Sequence, residues 1–153
     1  MFSYVDNFYE GEALGFVALH FLNEHFINSY QSQDYFFQGD RTNAYTVKET
    51  KNILGENEKS IYQLLKNTFR KKTNLELLYL ETKLRKIEKK ELQNSSSFRQ
   101  LRPHQDNKQF DIAGIIYFNG SKLKDGTYFF NTLNDFEPTA IVAPKVNRCV
   151  FYC

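Results

Sequence analysis

The apolar positions of this chain change period part-way along it. Phe2, Tyr4 and Val5 read as a strand within the first eight residues, ending at Asp6-Asn7. Leu14, Val17, Ala18, Phe21, Leu22 and Phe26 then recur at helical steps and predict an amphipathic helix over roughly 10–28. Residues 31–43 (QSQDYFFQGDRTN) are polar, contain a glycine, and read as a loop. Ile61, Leu64, Leu65 and Phe69 share one face of a second helix, near 57–71. From about residue 75 Leu75, Leu77 and Tyr79 alternate, followed by Leu80, Thr82 and Leu84, although the KIEKKEL that comes next could equally continue a helix. Ser95-Ser96-Ser97 marks a turn. Beyond it lie short apolar runs, Phe98–Arg102, Ile112–Phe118, Thr127–Phe130, Thr139–Ala143 and Cys149–Cys153, cut by Arg102-Pro103, Asn119-Gly120, Asp125-Gly126, Glu137-Pro138 and Ala143-Pro144. Short strands at such spacing predict an antiparallel sandwich or jelly roll. The expected fold is therefore α+β, with N-terminal helices packed on a jelly roll. It forms a single domain over 1–153, helix-rich over 1–74 and β-rich over 75–153.

Composition narrows the class. At 153 residues, 41% hydrophobic and 25% charged, the chain can bury one core. No run approaches the roughly 18 apolar residues of a membrane span, and the N-terminus has acidic residues where a secretory signal carries basic ones. The two cysteines, Cys149 and Cys153, exclude a disulfide framework and a zinc ribbon, which fits a reduced, cytoplasmic setting. Charge is uneven. Residues 1–65 hold 4 basic and 9 acidic side chains, residues 66–90 hold 9 and 3, and residues 91–153 hold 7 and 6. The basic stretch reads as a solvated face. Nucleic acid is the competing partner, weakened because aromatics do not interleave with the basic residues along the sequence.

Three histidines are available for chemistry. His20 and His25 lie five apart in the first predicted helix, point in different directions, and read as structural. His104 differs, because it sits in Arg102-Pro103-His104-Gln105-Asp106 directly after a predicted strand. On an extended segment, side chains two apart share a side, so His104 and Asp106 can ligate one ion. They supply two-thirds of the 2-His-1-carboxylate triad of non-haem Fe(II) oxygenases. The competing reading is a turn in which Asp106 caps its own backbone.

The order RPHQD, IIYFNG, DGTYFF and IVAPKVNRCVFY resembles the 2-oxoglutarate/Fe(II)-dependent oxygenases, in the prolyl-hydroxylase-like branch. There, His-x-Asp precedes a strand ending like Tyr117-Phe118-Asn119. A glycine turn follows, here Asp125-Gly126-Thr127, and then a Pro-x-x-Gly-Arg strand, here Pro144-Lys145-Val146-Asn147-Arg148. The resemblance is specific over 98–153, loose over 1–45 and slight between. It implies a double-stranded β-helix, Fe(II) held by His104 and Asp106, and 2-oxoglutarate as co-substrate. It also implies C–H hydroxylation of a peptide, nucleobase or small metabolite, with Tyr117 lining the co-substrate pocket.

The chain departs from that pattern at one end. The family's second metal-binding histidine follows the Pro-x-x-Gly-Arg strand, and an Arg or Lys for 2-oxoglutarate lies beyond it. No histidine follows His104 here, and the sequence stops at Cys153. The expectation is an oxygenase domain lacking its closing strands, inactive or impaired as it stands. The apolar ending Val150–Cys153 would then be sheet interior cut open, an edge prone to self-association. Cys153 is a poor substitute ligand. The alternative is a non-catalytic jelly-roll binding or structural module. A hydrolase built on a His104–Asp106 dyad lacks a nucleophile, since Ser95–Ser97 show no nucleophile-elbow pattern.

Overall fold

The structure is a computed structural model, and it describes residues 1–22, 30–37, 40–50, 56–89, 99–106, 108–120 and 122–153. Among these the chain forms β1 (Phe2–Val5), α1 (Glu12–Leu22), β2 (Tyr30–Phe37), β3 (Asp40–Thr50), α2 (Glu56–Thr73), β4 (Arg85–Lys89), β5 (Arg99–Leu101), β6 (Ala113–Tyr117), a 3₁₀ turn (Leu123–Asp125), β7 (Thr127–Phe129), β8 (Ala140–Val142) and β9 (Arg148–Tyr152). No helix among the described residues is long and apolar enough to cross a membrane. The residues group into two compact units. One comprises Met1–Gly15, Thr68–Leu75 and Pro103–Cys153, and the other Phe16–Asn67 and Glu76–Arg102.

The first unit is built on a sheet in the order β1-β9-β6, antiparallel throughout. The registers Tyr4↔Val150↔Ile115 and Val5↔Cys149↔Ile116 sort the side chains onto two faces. On one face Phe2, Tyr4, Ile115, Tyr117, Arg148, Val150 and Tyr152 line up. The β7–β8 ribbon lies over this face, with Phe129 stacked on Phe2 at 4.2 Å and edge-on to Tyr152 at 5.3 Å. The ribbon needs a glycine at its entry, because a Cβ on Gly126 would fall 2.1 Å from the Val142 carbonyl oxygen. On the other face Phe151 meets Phe69 edge-on at 5.3 Å. Phe8, Tyr9, Phe69, Val142, Cys149 and Val150 are buried in this unit.

Asn147 fastens the sheet to the chain's beginning. It is buried and left-handed, with φ 64°. Its carboxamide accepts the Tyr9 N–H at 2.8 Å and donates to the Tyr9 carbonyl at 2.7 Å. Its own N–H donates to the Tyr117 carbonyl at 2.7 Å, and its carbonyl accepts the Phe8 N–H at 2.9 Å. Asparagine tolerates the left-handed region and carries both a donor and an acceptor, so one residue meets both demands.

The second unit holds a four-stranded sheet in the order β4-β3-β2-β5. The β2–β3 hairpin pairs Tyr30↔Thr50 through Phe36↔Ala44, and β5 runs parallel to β2. Ala44, Val17 of α1 and Ile61 of α2 are buried in it. The end of α2 falls in the first unit and is capped by left-handed Asn74, whose N–H donates to the Arg70 carbonyl at 2.9 Å.

Several sequence expectations hold. The second helix and the strands within 112–118, 127–130, 139–143 and 149–153 form where the pattern places them, and β1 lies inside the first eight residues. The first helix is seen from Glu12 to Leu22, two residues later than its predicted start; residues 23–28, among them His25, and the Ser95–Ser97 turn lie outside the described residues. The architecture is corrected. The described residues form three small sheets of three, four and two strands with two helices, and no sheet closes, so a jelly roll with helices packed on it is not what the chain builds. Residues 31–37 and 40–43 are not a loop, because they lie in β2 and β3, the two longest strands among the described residues. Their alternation is polar, which hides them from a search for apolar periodicity. Residues 75–84, expected to alternate as a strand, contain none. The charged Arg85–Lys89 is a strand instead, supported by ion pairs from Glu49 to Arg85 at 3.4 Å and from Lys48 to Glu88 at 3.1 Å. Nor does the apolar ending stand at an open edge. β9 is the central strand of its sheet, covered on both flanks.

Asn147→Ala leaves the Tyr9 amide and carbonyl unmatched in a buried place and keeps the left-handed strain. A loss of roughly 3 kcal/mol in urea unfolding is expected, with Asn147→Gly losing less. A loss for Asn147→Ala below about 1 kcal/mol would deny the carboxamide this role.

Candidate functional site

His104 and Asp106 sit on the irregular segment that follows β5. The segment holds them on a common side, His104 Nε2 lying 3.7 Å from Asp106 Oδ1. Both are open to solvent, with side-chain exposures of 67% and 45%. Two metal bonds of about 2.1 Å can bridge atoms up to about 4.2 Å apart, so this separation lets both bind one ion with little movement. One imidazole nitrogen and one carboxylate oxygen are a donor pair suited to Fe(II) or Mn(II). Among the described residues, no group of three or more His, Cys, Asp or Glu is arranged to hold a metal. His20 lies in α1, half-buried.

Tyr117 stands at the end of β6 on the face that meets the β7–β8 ribbon. Its hydroxyl is hydrogen-bonded to the Thr127 hydroxyl of β7. Burial pushes the phenol up, opposed by Thr127 and by the charge of Arg148. The hydroxyl is thus a fixed, protonated group between two β layers.

Arg148 shares that face and was not singled out as a site residue by the sequence. Its Nε donates to Asp6 Oδ1 at 2.6 Å, its Nη2 to Asp6 Oδ2 at 3.0 Å and its Nη1 to the Ala143 carbonyl at 2.9 Å. The guanidinium carbon lies 4.5 Å from the Tyr4 ring centroid. Lys145 adds a bond to Asp6 Oδ2 at 3.1 Å. The hydrogen bond from Arg148, aided by Lys145, holds the Asp6 carboxyl at about 2, below its ordinary 3.8. No local signal could have paired Asp6 with Arg148, since 142 residues separate them.

The thiols are not competing donors of equal quality. Cys149 is buried, and burial pushes it up to about 12, so it stays a protonated apolar side chain. Cys153 is exposed, its thiol 3.8 Å from the Met1 carbonyl oxygen.

No family model, curated protein or solved structure matches the chain.

Two outcomes test this electrostatic picture. Asp6 is depressed in the folded state, so its stabilisation is present above about pH 4 and fades as pH falls towards 2. With the pair partly open to solvent its worth is roughly 1 kcal/mol, and Asp6→Asn should flatten that acid limb in urea midpoints measured against pH. Thiol titration of the native protein with a disulfide reagent should label Cys153 fast and Cys149 only on unfolding. Equal rates would contradict the burial of Cys149.

Proposed function

We propose that the chain is a metal-dependent oxygenase domain of the Fe(II)/2-oxoglutarate type, with His104 and Asp106 as two of the metal's donors. The observation that supports this most is the 3.7 Å approach of an imidazole nitrogen to a carboxylate oxygen in a solvent-open place, within the motif order of that superfamily. Bound there, Fe(II) with 2-oxoglutarate supplies O₂ activation coupled to oxidative decarboxylation, which hydroxylates a substrate C–H bond. The chain's part is positional. His104 offers a lone pair when neutral, and Asp106 offers a negative charge that offsets the cation. Tyr117, held by Thr127, presents a hydroxyl donor suited to a carboxylate co-substrate.

The proposal does not rest on a closed barrel. It calls for weak metal binding, because two donors hold an ion less firmly than three. A non-catalytic binding module is the second reading, and the specific observation in its favour is that the described residues form three small open sheets rather than the family's jelly roll.

Loss of the free-ion electron paramagnetic signal of Mn(II) on adding protein measures binding directly. The parent should bind, and His104→Ala/Asp106→Ala should weaken binding at least roughly ten-fold. Equal affinity in both proteins would remove this pair as the metal site and leave the binding-module reading.

A further inference from the structure

The sheet of the second unit brings together four residues that lie far apart in sequence. Register pairs Lys89 of β4 with Tyr45 of β3, Tyr45 with Tyr35 of β2, and Tyr35 with Arg99 of β5. All four fall on one transverse row and one face. The two tyrosine rings, both half-buried, stack at 5.9 Å and 22°, burial pushing the Tyr45 phenol up to about 12, and Lys89 and Arg99 are exposed at the two outer strands. The same face carries Ile87, 60% exposed, and Arg85, whose side chain is 54% exposed. Its acidic residue is Glu49, engaged by Lys83 at 3.3 Å and Arg85 at 3.4 Å, two register positions beyond Ile87's row partner Val47. Ala44, buried, belongs to the opposite face.

We propose that this row, Lys89-Tyr45-Tyr35-Arg99, is a platform for single-stranded nucleic acid. Adjacent strands lie about 4.8 Å apart, so the row runs roughly 14 Å from one cation to the other. That length suits two or three nucleotides, the number a four-stranded sheet with surface aromatics engages. Charge complementarity selects a polyanion, because this face carries Lys89, Arg99 and Arg85 against Glu49. The tyrosines select among polyanions. A sulfated glycan or an anionic lipid surface satisfies the cations but has no flat π-face to lay on a ring, whereas every base has one. A duplex keeps its bases stacked inside, so only an unpaired strand reaches the rings. Stacking of this kind is tolerant of sequence.

The test is the anisotropy of fluorescein-labelled dT12 titrated with the full chain in EDTA, so that metal binding at His104 and Asp106 has no part in it. Binding is expected, falling as salt rises from 50 to 200 mM, and tighter than for a 12-base-pair duplex or dextran sulfate. Lys89→Glu/Arg99→Glu and Tyr35→Leu/Tyr45→Leu should each weaken it about ten-fold, while Tyr35→Phe/Tyr45→Phe binds as the parent does. No binding, no preference over duplex and dextran sulfate, or a Leu variant that binds unchanged would overturn the proposal. If the Leu variant loses its circular dichroism, ultraviolet crosslinking of the parent to dT12 decides. Adducts on Tyr35 or Tyr45 support the platform, and adducts only elsewhere overturn it.

Discussion

The first unit depends on a buried amide doing the work of a strand. Asn147 presents its carboxamide to the Tyr9 backbone as an antiparallel neighbour would, one bond accepted and one donated. Its own peptide groups reach in two other directions, to Phe8 and to the Tyr117 carbonyl. A buried polar side chain is costly unless satisfied, and here it is satisfied by groups that would themselves be orphaned without it. The left-handed turn at the same residue lets the chain come round into β9. That strand then sits between β1 and β6, and Val150 at its middle is fully buried.

From this constraint follows the face on which the unit's polar groups are sorted. With β9 fixed in register, Arg148 emerges on the same side as Tyr117 and Tyr4, and Asp6, just beyond β1, reaches it bidentately. The ion pair is partly screened, so its energy is modest, but its fork geometry allows one orientation. It thereby fixes where the guanidinium lies and keeps a positive charge near the Tyr117 phenol. Thr127 completes the arrangement from the ribbon side. Packing and polar satisfaction agree here, which is what gives a small sheet one register rather than several.

What the sequence made legible was local. Helical spacing of Ile61, Leu64, Leu65 and Phe69 announces α2, and turn residues delimit β6 to β9, because these signals lie within one element. His-x-Asp is legible for the same reason, since two residues apart on extended chain means one side. The β2–β3 hairpin was not legible. Its alternation of Gln, Ser, Asp and Thr with Tyr and Val mimics a polar loop, and it is stabilised by pairing rather than by an apolar stripe. The tyrosine-and-cation row was invisible for a stronger reason. Tyr35, Tyr45, Lys89 and Arg99 do not interleave along the chain and meet only through three separate strand registers. The jelly-roll expectation failed at this same point: it assigned the β structure to the second half, while the longest strands lie in the first.

The contrast between locked and open polar groups separates structure from function in the first unit. Asn147, Asp6 and Arg148 are each engaged by two or more partners, so the fold explains their presence. His104 and Asp106 stand in the open instead. Their 3.7 Å approach is too long for a strong hydrogen bond, and both side chains face water. An exposed pair of this kind contributes little to stability.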